Sequence, residues 1–454
     1  MSTKNKIQIL ILFVSTLLVS CDSLVDVKPK GFMIPQSAAD LRMMMDNVSG
    51  NYTMPRPVTI GYDLIKYAGD HVEYKDSEPL EGNAENVYAY YMRDKRLIEE
   101  HNHGDIIYMY QLVALSNAVL DILPTTNDLS EKERNQIKGE ALVHRAYAFL
   151  TMVNIHARHY DINTASSDLG IPMPLNHNIN MEIPERSTVK EVYELIIGDL
   201  NEAVNLTGEL SDIRAFPSKA SAHALLARTY LYMGNFAEAL SHVNKALESS
   251  DFLYNLEDYL TEDGELDAPS REFDSKESLL HKEVSWEFKG SAKRYVSDEF
   301  WALYETGDLR AKYYKEKDGS HYYTNYPESF SGILISEMLL TRAECNARKG
   351  DLTLALQDIN EIRMHRFIAA DYIELASTDK EEVMSWVLRE RKIELAWVGL
   401  RWFDMKRLNK EVDYQTTLTR TYQGKTLVFE PNSDLWVFPF PGTMLENGVV
   451  VQNP

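Results

Sequence analysis

Cysteine is almost missing from this chain of 454 residues; only Cys21 and Cys345 occur. They form no CxxC pair and no cysteine–histidine metal spacing, and the one disulfide they could make is disfavoured by the start of the chain, described below. Glycine-rich phosphate loops are absent too. No P-loop or GxGxxG pattern is present, and neither HExxH nor GxSxG occurs. Basic residues are few against acids, 47 Lys and Arg to 69 Asp and Glu, for a net charge of −22. A field of that sign repels phosphate backbones and anionic headgroups, which argues against nucleic-acid binding and against polybasic adsorption to a membrane. So many acids also make any single carboxylate pair uninformative about glycosidase chemistry. His101 and His103 with Asp105 are a metal-like grouping, but histidines two apart do not share a helix face, so a solvated turn is the reading there.

What is present is a globular composition, 44% hydrophobic and 26% charged, long enough for one large domain or two to three small ones. Tyrosine is abundant at 26 residues, with 6 Trp. Both pack as apolar bodies with a polar tip, so they serve cores and wet binding surfaces alike, and composition does not choose between these uses.

The first thirty residues are an address. Lys4 and Lys6 precede an apolar run from Ile7 to Val19, 13 residues long, which is short of the ~20 that cross a bilayer as a helix. This reads as an export signal and stands outside the fold. It ends in Leu18-Val19-Ser20-Cys21, which resembles a bacterial lipobox, where cleavage before the cysteine leaves its thiol to be lipidated. Each buried CH₂ of an acyl chain contributes ~0.8 kcal/mol, so two or more chains anchor stably. Residues 21–31, ending Pro29-Lys30-Gly31, read as a tether.

Beyond the tether the pattern is mostly helical. An apolar stretch over 105–123 stops at Pro124. Ser130 with Glu133, and Thr188 with Glu191, have the spacing of capping boxes and open helices running to about Arg158 and Leu206. Residues 160–186, with Pro172, Pro174 and Pro184, read as an ordered loop. Ala227, Tyr230, Gly234, Phe236, Ala239, Val243 and Ala246 recur as Ala343, Asn346, Gly350, Leu352, Ala355, Ile359 and Ile362, offset by 116 at every position. Small residues for close helix approach, a glycine turn and a second apolar face fit two helix–turn–helix units of the tetratricopeptide kind. They are too far apart for a tandem array, so the material between must fold alongside. Residues 251–333 lack a helical period. Thr378 with Glu381 opens a helix over 381–408 with Ile393, Trp397 and Leu400 as a buried stripe, along which Arg401, Asp404 and Arg407 can pair. The runs 427–429 and 435–438 read as short strands, and Cys345, mid-helix, as a small buried hydrophobe.

These pieces in this order resemble the SusD/RagB family. The most specific stretch is Glu390-Arg391-Lys392-Ile393-Glu394-Leu395-Ala396-Trp397-Val398-Gly399-Leu400-Arg401-Trp402-Phe403-Asp404-Met405-Lys406-Arg407, similar to the family's C-terminal signature except at Val398, where an acid is usual. Arg145 to Leu150, Pro172 to Leu175, Ala224 to Arg228, Ile359 to Arg363 and the terminal Gln452-Asn453-Pro454 match as well. The resemblance implies a mainly α, SusD-like helical-repeat scaffold with irregular, partly β inserts. The domain is expected over 32–454, with repeats near 218–249 and 334–365 and a variable insert near 251–333. It also implies no catalysis and no cofactor. The expected role is an outer-membrane lipoprotein, facing the exterior, that binds a glycan or a peptide and hands it to a SusC-like TonB-dependent transporter.

No ligand residue carries over from the family, so the candidates come from composition. Sugar rings stack on aromatic faces, and two stretches are rich in them: Tyr88, Tyr90 and Tyr91, and then Trp286, Trp301, Tyr304, Tyr322, Tyr323 and Tyr326, mixed with Asp318, His321 and Asn325. The bland alternative is that these rings fill the core between inserts. A second functional class, a periplasmic helical-repeat adaptor that only holds proteins together, is separated by surface labelling of intact cells. The anchor is tested directly: Cys21→Ala is expected to release the protein from the outer-membrane fraction. Retention there after a salt wash contradicts the lipid anchor.

Overall fold

The computed structural model describes residues 37–47, 57, 59–60, 64–75, 88–89, 91–100, 104–176, 183–269, 272–284, 295–324, 330–446 and 448–454. Its helices, in chain order, are α1 (Ala38–Asp46), α2 (Lys95–Glu100), α3 (Gly104–Ile122), α4 (Glu131–His156), α5 (Val189–Leu206), α6 (Lys219–Tyr232), α7 (Phe236–Leu247), α8 (Asp298–Trp301), α9 (Ile335–Lys349), α10 (Leu352–Met364), α11 (Lys380–Glu394), α12 (Arg401–Leu408) and α13 (Gly442–Leu445). Ser130 and Thr188 each accept from the backbone N–H three residues on, and Glu133 and Glu191 reach back, so both capping boxes form. Helix α3 is apolar enough to cross a membrane by length and composition, yet Met109, Leu112 and Val113 are sealed in the main core. The 3₁₀ turn Leu123–Thr125, carrying Pro124, follows it.

Helices α3 to α7 pack each on the next, and α7 then packs on α9. The hairpins α6–α7 and α9–α10 therefore stand side by side in space, although more than a hundred residues of chain lie between their counterparts. Ala227, Ala239, Ala246, Ala343 and Ala355 are fully buried at the helix contacts. Gly234 (φ 71°) and Gly350 (φ 97°) take the left-handed backbone that ends the first helix of each hairpin, a conformation that costs a residue with a Cβ. Cys345 packs with Leu231 and Ala239 where the hairpins meet, and burial pushes its thiol up to about 12, as expected for an inert packing residue.

Several expectations are corrected. The stretch 381–408 is not one helix. It breaks after Glu394, with Trp397 (φ 65°) and Gly399 (φ 89°) in left-handed backbone, and resumes at Arg401. Ile393, Trp397 and Leu400 are buried all the same, Ile393 at the end of α11 and the other two in the turn after it. The cap of α11 is Asp379, not Thr378; its carboxylate accepts from the N–H groups of Glu381 and Glu382. Asp404 pairs with Arg407 at 2.7 Å, whereas Arg401 reaches Asp70 at 2.7 Å. Residues 435–438 form no strand. Asp434–Trp436 is a 3₁₀ turn, and the Phe438 N–H donates to the Ile155 carbonyl.

The strands are short: β1 (Thr59–Ile60), β2 (Val72–Glu73), β3 (Leu169–Pro172), β4 (Arg186–Thr188), β5 (Ser278–Leu280), β6 (Glu283–Val284), β7 (Tyr295–Val296), β8 (Tyr314–Lys317), β9 (Ser320–Tyr323), β10 (Ile333–Leu334), β11 (Leu418–Tyr422) and β12 (Lys425–Phe429). One four-stranded sheet has the order β2-β7-β9-β8. Antiparallel β11–β12 forms a separate hairpin.

Burial makes this fold sensitive to acid. It pushes His71 and His156 down to about 3 and His223 to about 4, with His144 and His159 held well below the ordinary histidine range. A histidine depressed in the folded state binds its proton in the unfolded chain first. The stability it supports is full above about pH 6.5 and fades as pH falls toward the folded value, at up to ~1.4 kcal/mol per group per pH unit. The melting temperature should therefore drop between pH 7.5 and 5.5. A flat profile across that window would contradict this.

Candidate functional site

The described members of the aromatic groups singled out in the sequence come together around the four-stranded sheet. Asp318-Gly319 is a two-residue turn with both residues at positive φ (53° and 75°), which suits the twist of a tight hairpin and joins β8 to β9. Across the sheet, Glu73 pairs with Tyr295, Tyr295 with Tyr322, and Tyr322 with Lys315. Successive residues of a strand point to opposite faces. Tyr322 therefore shares one face with Tyr295, their rings 6.1 Å apart, while His321 and Tyr323 point to the other.

On that other face α8 delivers Trp301. Ser297 caps this short helix by accepting from the Phe300 N–H. The indole lies flat on the His321 imidazole, centroids 3.6 Å apart and planes 11° from parallel, and both rings are partly exposed. Tyr304 sits 5.4 Å from Trp301, and its buried hydroxyl bonds to that of Tyr314 at 3.2 Å. The Trp397 indole N–H donates to the same Tyr314 hydroxyl at 3.2 Å, and the Trp397 ring stacks on Tyr323 at 5.0 Å. Burial drives the Tyr304 hydroxyl well above its ordinary range and Tyr314 up to about 12, so both stay neutral donors and acceptors. The left-handed turn at Trp397 thus lets the signature segment floor the aromatic layer.

Tyr88 and Tyr91 join through β2. Tyr74, just past that strand, packs on Tyr91 at 4.7 Å and on Tyr422 at 6.3 Å, and Tyr88 lies 5.3 Å from Tyr422. The structure thus brings the 88–91 and 295–323 stretches to one region. It does not leave every ring available. Tyr91 and Tyr323 are core residues, 4% and 6% exposed, and the Arg420 guanidinium covers Tyr91 from 4.4 Å. Tyr88, Trp301, Tyr304 and Tyr322 are partly exposed. Cys21, Tyr90, Trp286, Asn325 and Tyr326 lie outside the described residues, as do His101 and His103. His321, outside the ring set chosen from composition, proves to be the partner of Trp301. Its signal was the period-two alternation of Ser320–Tyr323, which puts His321 and Tyr323 on one face.

A cavity of about 30 Å³ lies beneath these rings, lined by Tyr304, Tyr314, Tyr323 and Trp397 with Arg310 and Glu394. That holds a water or two, against the ~300 Å³ and more of small-molecule pockets, so a ligand here would lie across the rings and not inside them. Among the described residues no cluster of three or more His, Cys, Asp or Glu converges as a metal site would require.

Comparison with known proteins places this geometry in a family. Residues 60–231 match the family model described as starch-binding associating with outer membrane, and residues 253–454 match the SusD family model. The SusD-like protein P2 of Formosa agariphila is 24% identical over 541 aligned positions, spanning 99% of each chain, and the SusD-like protein P38 of the same organism is 23% identical over 381, covering 67% of this chain and 72% of its own. Among solved structures, a putative sugar binding protein from Bacteroides vulgatus superposes with a TM-score of 0.74 at 20% identity, over 93% of this chain and 99% of that one. A SusD superfamily protein from Bacteroides thetaiotaomicron does so at 0.72 and 19%, over 92% and 100%. The mainly helical fold with small β inserts is shared with both. With its two halves each matched by a SusD model, this chain belongs to the SusD/RagB family of outer-membrane-associated, non-catalytic binding proteins.

Proposed function

We propose that this chain is a cell-surface lipoprotein that binds a polymeric nutrient, a glycan foremost, on an open aromatic surface and passes it to a TonB-dependent transporter in the same membrane. The observation that carries the reading is the partly exposed stack of Trp301 on His321, flanked by Tyr304 and backed by a floor of buried rings. A flat, rigid aromatic face suits the C–H face of a pyranose, and the partly exposed His321 imidazole suits its hydroxyls. Tyr322 extends the surface on the far side of β9, with Tyr88, Tyr90, Trp286 and Tyr326 as further proposed contacts. Tyr91 and Tyr323 act by holding the others in place. Membership of an outer-membrane-associated family and the lipobox at Cys21 support the location. The name of the Bacteroides vulgatus relative supports a carbohydrate ligand over a peptide.

Stacking on one ring is worth ~1–3 kcal/mol by analogy with bases on aromatics, so Trp301→Ala should weaken oligosaccharide binding about tenfold or more while far-UV circular dichroism is unchanged. Tyr322→Ala, on the opposite face of the strand, should cost less. Binding of a glycan panel is the measurement, with a peptide panel run beside it. Retention of full affinity by Trp301→Ala, in a folded protein, moves the site elsewhere. For delivery, we expect a large β-barrel to co-purify with the protein from mild detergent. Recovery of the protein always alone, from membranes that hold the barrel, counts against the partnership.

A further inference from the structure

Where α4 ends against α12 and the 430s turn, this acidic chain gathers cations. Arg158 and His159 follow α4, Lys406 lies in α12, and Lys410 follows it. They line a cavity of about 70 Å³ together with Asn409 and Ser433. The rim cations have acidic neighbours: Arg158 pairs with Asp434 at 2.6 Å, and Lys410 with Asp161 at 3.5 Å. Lys406 does not. It is 3% exposed, and its ammonium donates to the carbonyls of Asn154 and Ala157 at 2.6 and 2.7 Å but meets no carboxylate among the described residues. Burial, with Arg93 and Lys410 adding repulsion, holds it well below the ordinary lysine range.

Three more polar atoms are left over at the same place. Asn409 is 1% exposed; its side-chain oxygen accepts from the Thr416 N–H, yet its Nδ2 has no partner. The Ser433 hydroxyl has none either, nor has the buried Nδ1 of His159, an acceptor while the other ring nitrogen donates to the Tyr232 backbone. Buried donors without partners cost about 1–3 kcal/mol each, and a buried charge without a counter-charge costs more. Water would satisfy the donors, but only an anion would also favour the protonated form of Lys406 that burial opposes. A small anion does both. The volume is several times that of one water and well below that of a whole sugar pocket, so it fits a charged group and not a ring.

We propose that this cavity binds a tetrahedral oxyanion, a phosphate or sulfate group, with Lys406 and Lys410 supplying charge and Asn409 Nδ2 and the Ser433 hydroxyl donating hydrogen bonds to its oxygens. The group is either the free inorganic ion or one carried on a sugar. The site is separate from the aromatic surface and does not rest on it.

The test uses the full chain without its signal, titrated calorimetrically with inorganic phosphate and inorganic sulfate at constant ionic strength against chloride. Saturable binding of at least one oxyanion, with a rise in melting temperature, is expected. Asn409→Asp keeps the shape and the acceptor to Thr416 but replaces the free donor with a carboxylate in the wall of the same cavity. It should leave the anion-free melting temperature equal or higher and weaken anion binding at least about tenfold. Lys410→Ala, at the rim, should weaken binding with the fold intact, and keeps the question open to measurement should Asn409→Asp fail to fold. Displacement of phosphate by glucose 6-phosphate assigns the site to a sugar-borne group, and resistance to it assigns the free ion. No saturable response to either inorganic anion, or equal responses in wild type and both variants, overturns the proposal.

Discussion

The buried carboxylate of Glu390 holds three parts of the chain to one another. It is fully inaccessible and accepts from Arg310, in the insert, at 3.0 Å and from Arg363, on α10, at 2.8 Å. One turn on, Glu394 takes Arg310 and Arg366, and Arg366 also reaches Glu277 at 2.9 Å. Burial alone would push the Glu390 carboxyl up, but the guanidinium groups beside it hold it below its ordinary value. Such a lattice is poor evidence of net stability, since two charges leave water to make it. Removing one partner, however, strands another at a cost of about 3–5 kcal/mol. Any arrangement of the second repeat, the insert and the signature helix that separates these partners therefore carries that penalty. Tyr314, which supports the aromatic layer, follows Arg310 by a single 3₁₀ turn.

The signature thus works as a scaffold in both directions. Arg391 and Arg407 clamp Asp404, and Arg407 continues to Glu344 on α9. At the break after α11, the same segment turns Trp397 toward Tyr314 and Tyr323. Arg401 and Lys392 meanwhile hold Asp70 close to β2. Through Trp397 the signature residues also position the rings of the aromatic layer.

The two candidate binding regions differ in chemistry. Around Trp301 a partly exposed indole and imidazole lie over buried tyrosine hydroxyls, a surface suited to neutral polymers with an apolar ring face. Around Lys406 and Asn409 they are cations and unpartnered donors in a confined cavity, suited to one charged group. A net charge of −22 describes neither place, because it averages over the whole surface.

The sequence alone was enough for whatever obeys local rules. Capping boxes need only a three-residue spacing, so Ser130 and Thr188 were legible, and the glycine-ended repeats were legible because their period lies within one hairpin. The signature was legible as a string. Pairings and burial across distance were not. That α7 packs on α9, that Asp70 and not Asp404 takes Arg401, and that Tyr91 and Tyr323 are core while Trp301 and Tyr322 are partly exposed all depend on contacts between residues far apart in the chain. Nothing in the run Ser320 to Tyr323 says which face of the strand meets the protein. That was decided only when β9 paired with β7 and β8, with Trp301 and Trp397 closing on one side, since a strand's alternation defines two faces but only its neighbours choose which one is buried.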